Sequence, residues 1–89
     1  METLFNQLLK YSYISYEDGP FNQKVYFTGK DGNRYFYYYD KCTKPVYKNN
    51  RHFIGLLIPN GFEIINNNPN LEDVLKLQIN LVQEQLFNL

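Results

Sequence analysis

The apolar positions near the start of the chain recur at helical spacing. In segment 2–11, hydrophobic side chains three and four residues apart lie opposite polar ones, which predicts an amphipathic helix. The apolar members are Leu4, Phe5, Leu8, Leu9 and Tyr11.

A second helical pattern occupies the end of the chain. Asn70 is the predicted N-cap, and Glu72 and Asp73 fall in the first turn, where the helix dipole favours negative charge. The apolar stripe is Leu71, Leu75, Ile79, Val82, Leu86 and Leu89. We expect this stripe to cover a sheet, and the alternative is that it forms the seam of a homodimer.

Two runs of β-forming residues in the middle of the chain predict a hairpin. Segments 23–29 and 34–40 flank a turn in which Asp31 precedes Gly32. Asp-Gly is typical of a two-residue type I′ turn, in which both central residues need positive φ.

This turn sets the expected register and faces of the hairpin. It pairs Phe27 with Phe36 and Tyr26 with Tyr37, and alternation then assigns the neighbouring side chains. One face is expected to carry Val25, Phe27, Phe36 and Tyr38. The other is expected to carry Lys24, Tyr26, Thr28, Tyr35, Tyr37 and Tyr39.

A second hairpin is predicted from segments 52–58 and 62–66. Pro59-Asn60-Gly61 suits a type I turn closed by a glycine bulge. That turn would pair Ile58 with Phe62 and would place both on one apolar face.

Together these elements predict one α+β domain over residues 1–89. We expect two layers: an antiparallel sheet of about four strands, built from two hairpins, with the N- and C-terminal helices packed on one face. Segment 12–16 alternates in polarity and is a candidate for a fifth, short strand.

The remaining composition bears on compartment and chemistry. The only cysteine, Cys42, cannot form an internal disulfide, which favours the cytoplasm. The first residues do not resemble a signal peptide, and the longest apolar run, 56–58, is too short for a membrane span.

A Cys42–His52 nucleophilic pair would need a third residue to orient it. We therefore expect no catalytic residues, no metal site, no cofactor and no enzymatic activity.

Charge is balanced overall but unevenly distributed. Nine basic and nine acidic residues give a net charge of zero. Segment 1–19 has one lysine against three acids (−2), segment 20–60 has seven basic residues against two acids (+5), and segment 61–89 has one lysine against four acids (−3). The predicted sheet and the loop that follows its first hairpin are therefore the positive part of the chain.

The same positive part is rich in tyrosine, and this combination predicts a binding surface. Tyrosine and arginine dominate protein hot spots, while aromatic rings beside cations also suit single-stranded nucleic acid. The candidate residues are Tyr26, Tyr35, Tyr37, Tyr39, Lys24, Arg34, Lys44, Lys48 and Arg51.

We expect a small non-enzymatic regulator or inhibitor that engages a macromolecular partner, protein in preference to nucleic acid. Twelve asparagines and no alanine indicate AT-rich codons. Together with the small size, they favour a phage- or plasmid-encoded protein, for instance of an anti-defence type. A nucleic-acid-binding protein and a structural subunit or homodimer are the alternatives.

Overall fold

The computed structural model describes residues 2–42 and 51–77. Within these ranges the strands form one sheet in the order β1-β2-β3-β4-β5, and each pairs antiparallel with the next. The elements are α1 (Leu4–Leu8), β1 (Ser15–Asp18), β2 (Asn22–Thr28), β3 (Arg34–Asp40), β4 (His52–Ile58), β5 (Gly61–Asn67) and α2 (71–77). The α+β class is as expected, and the sheet has five strands where the pattern predicts about four.

Helix α1 is shorter than the predicted segment 2–11. The Thr3 hydroxyl caps it by accepting a hydrogen bond from the Asn6 amide at 3.2 Å. At the other end, the amides of Lys10 and Tyr11 each bond a carbonyl three residues back, so the last turn tightens and the helix stops. Its buried side chains are Phe5 and Leu8.

Helix α2 begins where the sequence predicts. The Asn70 side chain accepts from the Asp73 amide, and the Asp73 carboxylate accepts from the Asn70 amide, both at 2.9 Å. Val74, which lies beside the predicted stripe, is the buried residue of this helix. The stripe positions from Ile79 onward lie outside the described residues. Neither described helix is long and apolar enough to cross a membrane.

The β2–β3 turn has three residues, not two, and the predicted register is wrong by one. The Gly32 amide bonds the Gly29 carbonyl at 3.0 Å, and the Gly29 amide bonds the Asn33 carbonyl at 2.7 Å. Gly32 has a φ of +86°, whereas the φ of Asp31 is negative. A type I′ turn needs positive φ at both central residues, so this turn is instead the three-residue form closed by a glycine.

The Asp31 side chain explains why the longer turn forms. Its carboxylate accepts the Asn33 amide at 2.9 Å and the Tyr35 hydroxyl at 2.6 Å. The bond from Tyr35 holds the pKa of Asp31 below its usual range, and the same bond raises the pKa of Tyr35. An aspartate side chain that accepts from the amide two residues later stabilises a turn in which the aspartate itself keeps a negative φ. The type I′ turn would instead need a positive φ at Asp31.

The one-residue slip exchanges the faces of β3 relative to β2, because side chains alternate along a strand. Tyr26 now pairs with Phe36 and Val25 with Tyr37. Two hydrophobic clusters result. The helix-side cluster consists of Phe5, Leu8, Val25, Phe27, Tyr35, Tyr37, Ile54 and Val74. The aromatic cluster consists of Phe36, Tyr38 and Phe53, with Tyr26, Phe62 and Ile64 packed against them.

The β4–β5 turn also differs from the prediction by one residue, but here the loop is shorter than predicted, not longer. Ile58 pairs with Gly61, so the loop is Pro59-Asn60 alone, and Gly61 takes a φ of +146° that favours glycine. Phe62 therefore pairs with Leu57 rather than with Ile58. A bulge between residues 54 and 55 shifts the register again farther along β4.

Gly55 makes room for the aromatic cluster. A Cβ atom at this position would lie 2.5 Å from Cε1 of Phe36, closer than such contacts occur. The Phe36 ring has little freedom to move away, because it contacts the rings of Tyr26, Phe53 and Phe62 at centroid distances of 5.2–5.9 Å. The absence of a side chain at Gly55 thus allows strand β4 to pass directly under the Phe36 ring.

Gly55→Ala should therefore destabilise the fold by about 1–3 kcal/mol through overpacking. Gly19→Ala is the matched control, since its added Cβ would meet only the Asn22 carbonyl oxygen, at an ordinary 3.5 Å. Urea denaturation of both variants measures the difference. Equal midpoints for the two variants would contradict the packing described here.

The register makes a second prediction. Tyr37 is 1% exposed in the helix-side cluster, so Tyr37→Ala should lower the free energy of unfolding by about 3–5 kcal/mol. The predicted type I′ register would have left this side chain in solvent, with a small effect. Tyr13→Ala, at an exposed tyrosine, serves as the control in the same denaturation assay and should cost much less.

Candidate binding surface

Three of the nine predicted binding residues come together on the side of the sheet that carries the aromatic cluster. Lys24 and Tyr26 alternate along β2, and Arg34 opens β3 in register with Thr28. Alternation puts all three side chains on the same side as Phe36.

Tyr35, Tyr37 and Tyr39 lie on the opposite side of the sheet, so the prediction that they share a face with Tyr26 is wrong. The reason is the one-residue register slip in the β2–β3 turn. Tyr35 and Tyr37 are buried in the helix-side cluster, and Tyr39 is partly buried against it. These three tyrosines belong mainly to the packing between the sheet and the helices.

Arg51 holds the two ends of the β3–β4 connection together. Its guanidinium donates to the carbonyl oxygens of Asp40 and Cys42 at 3.2 and 2.8 Å, and its own carbonyl accepts from the Asp40 amide at 2.8 Å. This is a structural role that a basic loop pattern does not reveal. Lys44 and Lys48 lie outside the described residues.

A groove runs across the sheet beside the aromatic cluster. It consists of two adjoining depressions of about 220 and 160 Å³ that share Tyr26 and Leu57. We refer to it as the groove, and its exposed or partly exposed residues include Ile14, Lys24, Tyr26, Arg34 and Leu57. Ile14 is 51% exposed and Leu57 is 37% exposed, so the groove presents aliphatic side chains to solvent.

Two cations accompany these apolar side chains. The Lys24 ammonium lies 6.0 Å from the centroid of the Tyr38 ring and 3.9 Å from a carboxylate oxygen of Glu17. The second cation, Arg34, is exposed at the start of β3. The groove therefore combines an apolar floor with positive charge.

Ile14 and Leu57 were not among the predicted binding residues. Leu57 carries a usable signal, because the predicted pairing of Ile58 with Phe62 places Leu57 and Glu63 together on the opposite face by strand alternation. An aliphatic residue on a face expected to be polar is typical of a contact surface. Ile14 gave no comparable signal, since its placement depends on how segment 12–16 leads into β1.

Cys42 and His52, the two residues considered as a nucleophilic pair, each interact with other groups. The Cys42 sulfur lies 4.0 Å from the Phe21 carbonyl oxygen, and the Asp40 carboxylate raises the pKa of this thiol. A raised pKa disfavours the reactive thiolate. Among the described residues, no group of three or more His, Cys, Asp or Glu side chains could hold a metal ion.

His52 forms a hydrogen bond of 2.9 Å between its Nδ1 atom and the Tyr37 hydroxyl. Burial, with a smaller effect of Tyr39, raises the pKa of Tyr37, so the phenol keeps its proton. That proton has no other acceptor among the described residues, and we therefore assign the phenol as donor and Nδ1 as acceptor. The His52 proton then resides on Nε2.

Comparison of the chain with protein-family models, with curated proteins and with solved structures gave no significant match.

Partial burial lowers the pKa of His52 below its ordinary value of about 6.5. Below that pH the unfolded chain takes up a proton that the folded chain does not. Stability should therefore fall as the pH drops from about 6.5 toward the folded-state pKa.

The pH effect can be measured as the thermal midpoint between about pH 5 and 7.5, within which histidine titrates. His52→Asn should flatten the profile, because the amide oxygen can still accept from Tyr37 but does not titrate. An unchanged slope in this variant would show that another group causes the pH dependence.

Proposed function

We propose that the protein is a non-enzymatic binding protein that engages a protein partner through the groove. The observation that carries this proposal is the exposure of Ile14 and Leu57 beside Tyr26, with cations at both ends of the same surface. Exposed aliphatic side chains around a partly buried tyrosine are typical of the centre of a protein interface.

The apolar character favours protein over nucleic acid. Base stacking needs open ring faces, but Phe36, Tyr38 and Phe53 are 4%, 6% and 0% exposed. That leaves Tyr26 and Phe62 as the partly exposed rings of the groove, and both already contact Phe36. A strand of nucleic acid would find few stacking platforms here.

The charges suggest what the partner presents. Lys24 and Arg34 would pair with carboxylates, which steer encounter and fix orientation. A complementary segment would carry apolar side chains for Ile14 and Leu57 and acidic residues at its flanks. By binding and covering such a segment, a domain of this size would regulate or inhibit its partner.

Affinity capture from the lysate of a low-GC bacterium, with Leu57→Arg and Ile65→Arg compared against the wild-type chain, tests this proposal. Both substitutions add the same charge at similarly exposed aliphatic residues, 37% and 42% exposed, but Ile65 lies on β5 outside the groove. We expect a stoichiometric protein band that falls about tenfold or more with Leu57→Arg and persists with Ile65→Arg.

Nuclease and salt arms separate the alternatives. Protein binding through the groove should survive nuclease and change little with salt, whereas phosphate contacts weaken steeply as salt rises. Recovery of nucleic acid that nuclease abolishes would transfer the assignment to nucleic-acid binding. Equal capture by both variants would place the interface elsewhere and refute the role of the groove.

A further inference from the structure

A cleft of about 440 Å³ lies on the other side of the sheet, between the start of α1 and the ends of β3 and β4. We refer to it as the α1 cleft. Its volume falls within the range of about 300–1,000 Å³ that is typical of small-molecule sites. It shares no lining residue with the groove, so it is independent of the proposed function.

The apolar walls of the α1 cleft are largely aromatic. Leu4 and Phe5 line it from α1, and the rings of Tyr39 and His52 line it from the sheet. The last two rings meet edge to face, with centroids 6.3 Å apart. Such walls suit a flat, apolar ligand body.

Two polar atoms on the aromatic walls of the α1 cleft have no hydrogen-bond partner among the described residues. One is Nε2 of His52, which carries the proton because Nδ1 accepts from Tyr37. The other is the hydroxyl of Tyr39. Both can donate, so both suit a ligand with a strong acceptor.

The charge of the α1 cleft points to an anionic acceptor. Lys41 is the one charged residue among the described lining residues. Its ammonium bonds a carboxylate oxygen of Asp18 at 2.9 Å and the Gly19 carbonyl at 2.8 Å, which holds the amine in place and leaves its third proton for a ligand.

We propose that the α1 cleft binds a small aromatic carboxylate. The ring would lie against Leu4 and Phe5. The carboxylate would accept from Nε2 of His52 and the hydroxyl of Tyr39, with the ammonium of Lys41 nearby. A hydrogen bond to a charged acceptor is worth more than a neutral one, so the two donors would dominate the selectivity.

The test is a titration of the full, isotopically labelled chain with 2-naphthoate, followed by NMR. We expect saturable shifts at residues of α1 and the neighbouring ends of β3 and β4. Tyr39→Phe removes one donor and keeps the ring, and it should weaken binding about tenfold or more. His52→Asn removes Nε2 while it preserves an acceptor for Tyr37, and we expect a similar loss.

Tyr13→Phe is the matched control, because it removes a hydroxyl from an exposed tyrosine outside the cleft and should leave the affinity unchanged. The neutral analogue 2-naphthamide should bind several-fold more weakly than 2-naphthoate.

Three results would overturn the proposal. They are the absence of saturable shifts at millimolar 2-naphthoate, shifts confined to the groove, and equal effects of Tyr39→Phe and Tyr13→Phe. Leu57→Arg, which tests the groove, should not change naphthoate binding, so failure of either proposal can be recognised separately.

Discussion

The carboxylate of Asp31 controls which side of the sheet each aromatic residue of β3 occupies. By accepting the Asn33 amide and the Tyr35 hydroxyl, it stabilises a turn of three residues closed by Gly32. A turn of two residues would shift β3 by one position, and every side chain on that strand would change sides. The position of the tyrosines, and with it the chemistry of both surfaces, depends on this one loop.

Strand β3 is consequently buried on both sides. Tyr35 and Tyr37 belong to the helix-side cluster, while Phe36 and Tyr38 belong to the aromatic cluster. A strand of this kind shows no polar alternation, so hydrophobic pattern alone cannot choose between its two possible orientations. The turn has to make that choice.

The sequence was informative where a pattern had only one physical solution. Local chemistry predicts the antiparallel strands, the positions of the β2–β3 and β4–β5 turns and the Asn70 cap, and the structure confirms them. Turn length was not determined in the same way, because Asp-Gly and Pro-Asn-Gly each fit two loop lengths. Both one-residue errors come from that ambiguity.

The same ambiguity explains what was missed in the candidate surfaces. Of the tyrosines assigned to one exposed array, Tyr26 alone keeps that side of the sheet. The Tyr37–His52 contact joins residues fifteen positions apart through the pairing of β3 with β4, so no local pattern contains it. The role of Arg51 likewise requires knowledge of where the two ends of a connection meet.

The order of the strands has a consequence for how the chain folds. Every strand pairs with its neighbour in sequence, and three of the four connections between strands have at most five residues. Each hairpin can therefore close with a small loss of chain entropy, before any distant segment is in place. Such a local contact pattern favours rapid folding for a sheet protein, and the eleven-residue connection from β3 to β4 is the longest loop that the sheet has to close.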